Sequence, residues 1–283
     1  MIDIILFPSS YFSAKQVDEA LQYEYDAALA TGLFEIALFG YDKFISEGKL
    51  IFNKIPSEKC TAVMRGWMMK PEQYKLFYGE LLKNNIQLIT SPEEYELMHI
   101  FPNVYERFGT DTAKMKLYQL HTQIDVEEVK KSFDRFMIKD FVKSVKGTEF
   151  PRFFDSSVTQ EQFDKWMDVF YKYRGDLLTG GICVKEFLDL KFYNGRPNEY
   201  RVFYANNNIL TVNRNSGQGN FTSEPPMALI EKYKTLPSCY YTIDYAELSD
   251  GTWRVIEAGD GSVSGLSDNQ DAEQYFRSLY CAL

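Results

Sequence analysis

Histidine and cysteine are scarce, with two of the first and four of the second in 283 residues. The cysteines, Cys60, Cys183, Cys239 and Cys281, stand far apart, and only His99 and His121 could help complete a zinc site. Structural zinc and a disulfide framework are therefore not expected, because both need cysteines at close, repeated spacing. Basic residues are outnumbered, 31 Lys and Arg against 40 Asp and Glu, for a formal net charge of −9. A surface of that sign does not favour a phosphate backbone, so no nucleic-acid partner is expected. Long apolar runs are missing too. The opening MIDIILFP has no basic start and no small-residue cleavage site, and no later stretch approaches the roughly 20 residues of a spanning helix. No membrane partner is expected and the cytoplasm is the default location. Internal repeats and low-complexity segments are also lacking.

What is present is ample material for a core: 45% of the residues are hydrophobic, enough for one large or two ordinary domains, as a monomer or a homodimer. The first hundred residues alternate strand and helix signals. Residues 2–7 (IDIILF) form an apolar run closed by Pro8-Ser9-Ser10. Ser13 then starts a helix that carries Val17, Leu21, Ala28 and Leu29 and stops at Gly32. Strands follow at 34–39, 62–64 and 86–89, with a helix opening at Pro71 and a capping box at Ser91-Pro92-Glu93-Glu94. This pattern predicts a three-layer α/β domain with a mainly parallel sheet over residues 1–105. From 106 to 283 the signals change. A helix over 111–120, a compact strand at 136–138, an aromatic-faced helix from Thr159, a strand at 182–188 and a hairpin over 200–212 predict antiparallel β with flanking helices.

Residues 240–266, YYTIDYAELSDGTWRVIEAGDGSVSGL, read as a hairpin about Ser249-Asp250-Gly251. Pairing about that turn sets Asp244 beside or opposite Glu257, and like charges there repel. Two solvated acids on an open face would be the simple explanation, but Ile243, Tyr245, Val255 and Ile256 are apolar on both faces. A half-buried acid pair calls for a cation, and carboxylate oxygens without His or Cys nearby suit magnesium or manganese. Asp260, between Gly259 and Gly261, is a third candidate oxygen donor. Upstream, Lys139 ends an apolar strand, and with Lys143 and Lys146 it surrounds a short loop closed by Gly147, either a solvated turn or a cradle for nucleotide phosphates. Val184-Lys185-Glu186-Phe187-Leu188 offers strand-edge backbone groups for an adenine ring, with Glu186 a candidate amine or ribose partner. Arg201 and Arg214 are candidates for stabilising charge on a transferring phosphate.

Taken in order, the strand ending in Lys139, VKEF with Glu186, EYRVF with Arg201, and then Asp244 and Glu257 thirteen apart resemble the ATP-grasp superfamily. Within it, Arg65-Gly66-Trp67-Met68, Thr90 with Glu94-Tyr95 and His99, and the closing EAGDGSVSGL look like the branch named for two arginines and a lysine, often encoded by phages and bacteria. The resemblance implies an ATP-grasp fold, with an N-terminal three-layer α/β pre-ATP-grasp domain and a C-terminal antiparallel-sheet nucleotide-binding domain. It implies ATP and Mg2+, with Mn2+ possible. Lys114 (or Lys116), Lys139, Lys143, Lys146, Glu186, Phe187 and Leu188 would face the nucleotide, and Asp244, Glu257 and Asp260 the metal. Arg65, Arg201 and Arg214 would be catalytic, with Arg65 facing the cleft to orient the acidic co-substrate. The implied activity is a carboxylate–amine ligase that forms an amide through an acylphosphate, its acid and amine unidentified and either of them a peptide or protein. A nucleotide-binding regulatory module and an ATP-dependent phosphotransferase are the alternatives. Two departures stand out: Gly259 occupies the usual Asn position after the metal-binding Glu, and a basic loop replaces the usual Gly/Ser-rich lid.

Overall fold

A strand covered on both faces needs a continuous apolar run, and β1 (Ile4–Ser10) is buried along almost its whole length. In the computed structural model, which describes residues 3–219 and 222–283, β1 is the centre of the first sheet. Ile2, the first residue of the expected strand, lies outside the described residues. The other members are β2 (Ser13–Val17), β3 (Glu35–Phe39), β4 (Cys60–Met64) and β5 (Ile86–Leu88). Strands β3 and β4 flank β1 in parallel, β5 extends the sheet in parallel beside β4, and β2 pairs antiparallel with the end of β1. Alternate residues of β1 feed two cores, as the period of two requires. Ile5 and Phe7 face helix α1 (Gln22–Thr31), whereas Ile4 and Leu6 face α2 (Tyr41–Glu47) and α3 (Pro71–Lys83). The expected capping box is present at the start of α4 (Pro92–His99), and the short α5 (Phe101–Val104) follows.

One segment of this half differs from expectation. Ser13–Val17 is a strand and not a helical turn, and α1 begins only at Gln22. The hairpin that β2 forms with the end of β1 outweighs its weak helical spacing, and Leu29 is exposed. The stop at Gly32 holds, with the glycine in the left-handed region at φ 65°.

Beyond residue 105 the expected helix over 111–120 is also a strand, β6 (Met115–Tyr118). It forms the edge of a second, antiparallel sheet with β7 (Arg135–Asp140), β8 (Phe154–Asp155) and β9 (Ile182–Glu186), in the order β6-β9-β7-β8. Its ladder with β9, Met115 opposite Lys185 and Tyr118 opposite Ile182, overrides local propensity. Helices α6 (Val126–Lys130) and α7 (Gln160–Arg174) close over one face, and the α7 residues Phe163, Met167 and Phe170 are buried there as predicted.

The small hairpin β10 (Phe192–Tyr193) and β11 (Arg196–Pro197) leads into a third sheet, antiparallel, ordered β13-β12-β14-β15. Its strands are β12 (Glu199–Ala205), β13 (Asn208–Arg214), β14 (Tyr240–Glu247) and β15 (Trp253–Asp260), with α8 (Met227–Lys232) between β13 and β14. Tyr204, Tyr241, Ile243, Tyr245 and Val255 line one face of this sheet and pack against Phe101, Val104 and Phe108. The last helix, α9 (Ala272–Ala282), returns to the first half: Tyr275, Phe276 and Leu279 share a core with Ile5, Phe7 and Phe203. Among the described residues no helix is long and apolar enough to cross a membrane.

Candidate active site

Strands β12, β14 and β15 place three charged residues in a single row, Arg201 opposite Asp244 and Asp244 opposite Glu257. A bulge immediately follows, because Tyr245 pairs with Val255, and it re-aims the strand beside the acids. The opposition read from the hairpin turn is therefore observed. The acids, however, already have cations. Arg201 donates Nε and Nη2 to the two oxygens of Asp244 at 2.8 and 2.8 Å. Lys139 reaches across from the second sheet and donates Nζ to Glu257 Oε1 at 2.7 Å. Burial would raise the Glu257 carboxyl, but the charge and hydrogen bond of Lys139, aided by Lys143 and Lys185, hold it down at about 2. Asp244 likewise holds the Arg201 guanidinium in its charged form.

Between the second and third sheets lies a cavity of about 580 Å³, within the range of small-ligand sites. One wall carries Met137 and Ile138 of β7 and the stretch Lys185, Glu186, Phe187 and Leu188. The opposite wall carries Glu199, Asp244 and Glu257, and Lys146 and Gly147 of the basic loop cover the side. Lys185, quoted above only as part of its strand, is a site residue that the sequence reading missed. It is buried, donates Nζ to the Ile256 carbonyl at 2.5 Å and lies 4.5 Å from the Phe101 ring centre. Burial, and then the neighbouring charge of Lys139, lowers its ammonium to about 8. Two buried lysines against the single acid Glu257 leave one positive charge uncompensated, which suits a polyanion in the cavity. The available signal was a lysine inside an otherwise apolar strand. Glu199 was missed as well. It accepts Asn215 Nδ2 at 2.8 Å, and burial followed by the charge of Asp244 raises its carboxyl.

A second, smaller cavity of about 60 Å³ adjoins the same acids from the side of the first domain. Asp244 and Glu257 border both spaces, and Met68, His99, Val142, Lys143, Thr242 and Ser264 complete the smaller one. Burial, then the charge of Lys143, lowers the His99 imidazole to about 4 against the pull of Glu257, so it is neutral at pH 7. A side chain at Gly259 would find little room here. Its Cβ would stand 3.1 Å from Ser264 Oγ and 3.3 Å from Thr242 Oγ1, and those two hydroxyls are bonded to each other at 2.8 Å.

The remaining expected site residues are distributed differently. Phe187 and Leu188 line the large cavity, and so does Glu186, but its carboxylate already accepts the Lys114 backbone N–H at 3.1 Å. The Lys114 side chain is exposed, and Lys116 donates to the Glu128 carbonyl at 3.0 Å; neither lines a cavity. Arg65 does not face the cleft. It is 2% exposed and ion-paired with Glu24 at 2.7 Å, as its buried position after β4 demands. Arg214 pairs with Tyr200 and so lies on the opposite face of the sheet from Arg201, where it borders a separate polar cavity and donates to the Gly219 carbonyl at 2.6 Å. Asp260 is one residue out of phase with Glu257 and Gly259, so its carboxylate turns away from the acid pair. It is fully buried, accepts Ser262 N–H at 2.8 Å through Oδ1, and burial raises it to about 7. Among the described residues no three His, Cys, Asp or Glu side chains form a metal cluster.

Comparison with known proteins gives two kinds of similarity. Residues 119–279 match a family model described as an ATP-grasp domain, family 3 of the clade named for two arginines and a lysine. The whole fold superposes on solved structures at low identity. The ATP-grasp ligase PsnB complexed with minimal precursor has TM-score 0.63 and 11% identity, covering 100% of this chain and 99% of that one. D-cycloserine synthetase DcsG has TM-score 0.64 and 10% identity, covering 98% of each chain. D-alanyl-alanine synthetase A from Vibrio cholerae O1 biovar eltor has TM-score 0.61 and 12% identity, covering 99% of this chain and 96% of that one. No curated protein matches the chain in sequence.

Proposed function

The chain belongs to this ATP-grasp domain family, and from that premise we propose that it is an ATP-dependent carboxylate–amine ligase. The observation that carries this reading is the acid pair standing between two cavities, a large one with uncompensated positive charge and a small one beside a lysine and a neutral imidazole. ATP fits the first, with its base against the backbone of residues 186–188 and its phosphates toward Lys139, Lys185 and Lys146. The residues present also suit magnesium. It binds through one or two carboxylates together with substrate phosphates, which Asp244 and Glu257 on the cavity wall satisfy without a third acid. Bound there, the ion would neutralise phosphate charge. Asp260 is left out of that set because it faces away.

The small cavity would take the reacting carboxylate, with Lys143 as its counter-charge. A carboxylate oxygen attacks the γ-phosphorus, the bond from that phosphorus to the β,γ-bridging oxygen breaks, and ADP leaves with an acylphosphate formed. The nitrogen of a neutral amine then attacks the acyl carbon, phosphate departs with the former carboxylate oxygen, and the amine's proton passes to solvent. Lys139, Lys185 and Arg201 contribute positioning and fixed positive charge, the main resources for phosphoryl transfer. PsnB has been solved with Mg and ADP and also with a precursor peptide, which supports a peptide as one substrate here.

The test is ADP release from ATP and magnesium in the presence of paired carboxylates and amines, peptides included, with products read by mass spectrometry. A new amide together with ADP supports ligation. Acid-independent ATP turnover, or a stable phosphorylated product, would replace it with a phosphotransferase, and binding of ATP without turnover would replace it with a regulatory module.

A further inference from the structure

We propose that Arg65 is a positioning residue for the acid pair: it builds the loop whose Gly265 carbonyl sets Arg201 and, through Arg201, the Asp244 carboxylate. The inference rests on the reading of Asp244 and Glu257 as the metal-holding pair.

The loop after β15 is gripped almost entirely from the first domain. Arg65 donates Nε and Nη2 to Glu24 Oε2 at 2.8 and 2.7 Å. Its Nη1 bonds the Gly261 carbonyl and lies 3.2 Å from the Tyr240 hydroxyl, and its Nη2 reaches the Ser264 carbonyl at 2.8 Å. The next residue, Gly66, donates its N–H to the Ser262 carbonyl at 2.9 Å, a close approach that leaves no space for a side chain, since a Cβ would stand 2.8 Å from the Pro8 ring. The other oxygen of Glu24 accepts the Leu266 N–H at 3.3 Å.

Residue 265 sits between two held neighbours, and its carbonyl is where Arg201 makes a third contact, Nη1 to O at 3.1 Å. With Nη1 tied there, the Nε–Nη2 edge of Arg201 is left facing Asp244 for its two parallel bonds. A loop containing Gly261 and Gly265 has little stiffness of its own, so the orientation of Gly265 depends on those grips. The rings of Phe203 and Tyr275, 5.6 and 5.4 Å from the Arg65 guanidinium carbon, confine it further. Lysine cannot replace this arrangement, because one ammonium cannot span Glu24 and two carbonyls as a planar fork does.

The experiment measures ADP affinity by titration calorimetry, with magnesium and with chelator, in wild type, Arg65→Lys and Glu24→Gln. In wild type, magnesium should tighten ADP binding. In Arg65→Lys that gain should shrink by roughly ten- to a hundred-fold, the usual effect of losing a partner that orients a metal ligand. Affinity in chelator should stay unchanged, because the base-binding stretch and the basic loop are untouched. Glu24→Gln keeps the shape and the acceptor for Leu266 while removing the counter-charge, and should show a smaller loss in the same direction. If Arg65→Lys does not fold, Glu24→Gln decides. Folded variants that melt lower yet keep the wild-type magnesium gain would make Arg65 merely structural and overturn the proposal. Absence of any magnesium gain in wild type would instead overturn the metal reading of the acids.

Discussion

Asp244 and Glu257 face each other across β14 and β15, yet each is bonded to a cation from elsewhere, Asp244 to Arg201 and Glu257 to Lys139. The pair is thus compensated without metal. Losing one acid leaves a partly buried cation unpaired, which costs more than the repulsion it relieves. Asp244→Asn should therefore destabilise the ligand-free protein by roughly 1–3 kcal/mol and abolish the magnesium-dependent part of nucleotide binding. Urea denaturation in chelator tests the first part; a variant as stable as wild type, or more stable, would contradict it.

Lys185 makes a prediction with a defined pH window. Its folded value of about 8 lies below the ordinary 10.5, so between those two limits the unfolded chain binds more protons than the folded one. Stability contributed by this residue therefore rises with pH from about 8 to 10.5, and below 8 the buried ammonium carries its full desolvation cost. Lys185→Met should lose that slope, be at least as stable as wild type at pH 7, and bind ATP more weakly. Parallel stability curves for the two proteins over this window would show that the lysine is not desolvated.

The sequence disclosed this site unevenly, and range explains why. The opposition of Asp244 and Glu257 was readable because a tight turn and a period of two set register within a few residues. Their partners were not, since Arg201 lies 43 residues from Asp244 and Lys139 lies 118 from Glu257. Arg65 looked like a cleft residue because its strand end is where open α/β sheets bind ligands, but its acceptors at Glu24 and Ser264 are 41 and 199 residues away. Strands β2 and β6 were misread for the related reason that their form is set by the strands beside them.

The two strand arginines of the third sheet should separate cleanly. Arg201→Lys loses the paired bonds to Asp244 and the contact with Gly265, so magnesium-dependent ADP affinity should fall at least tenfold. Arg214 lies on the other face and bonds the Gly219 carbonyl, so Arg214→Ala should leave that affinity within about twofold of wild type. A loss at Arg214 equal to that at Arg201 would place it in the nucleotide site.

Asp260 distinguishes a metal ligand from a buried acid. Burial raises its carboxyl from 3.8 to about 7, so between these values the folded protein binds the extra proton and stability contributed by this group falls as pH rises. Its Oδ2 is buried without a hydrogen-bond partner, the atom where a proton would sit. Asparagine keeps an acceptor for the Ser262 N–H and carries no charge at any pH. Asp260→Asn should therefore lack the wild-type decline between about pH 4 and 7, become the more stable protein near pH 8, and retain magnesium-dependent nucleotide binding. Should the variant lose that binding while remaining folded, Asp260 would rejoin Asp244 and Glu257 at the metal, and β15 would have to twist its carboxylate toward them when nucleotide binds.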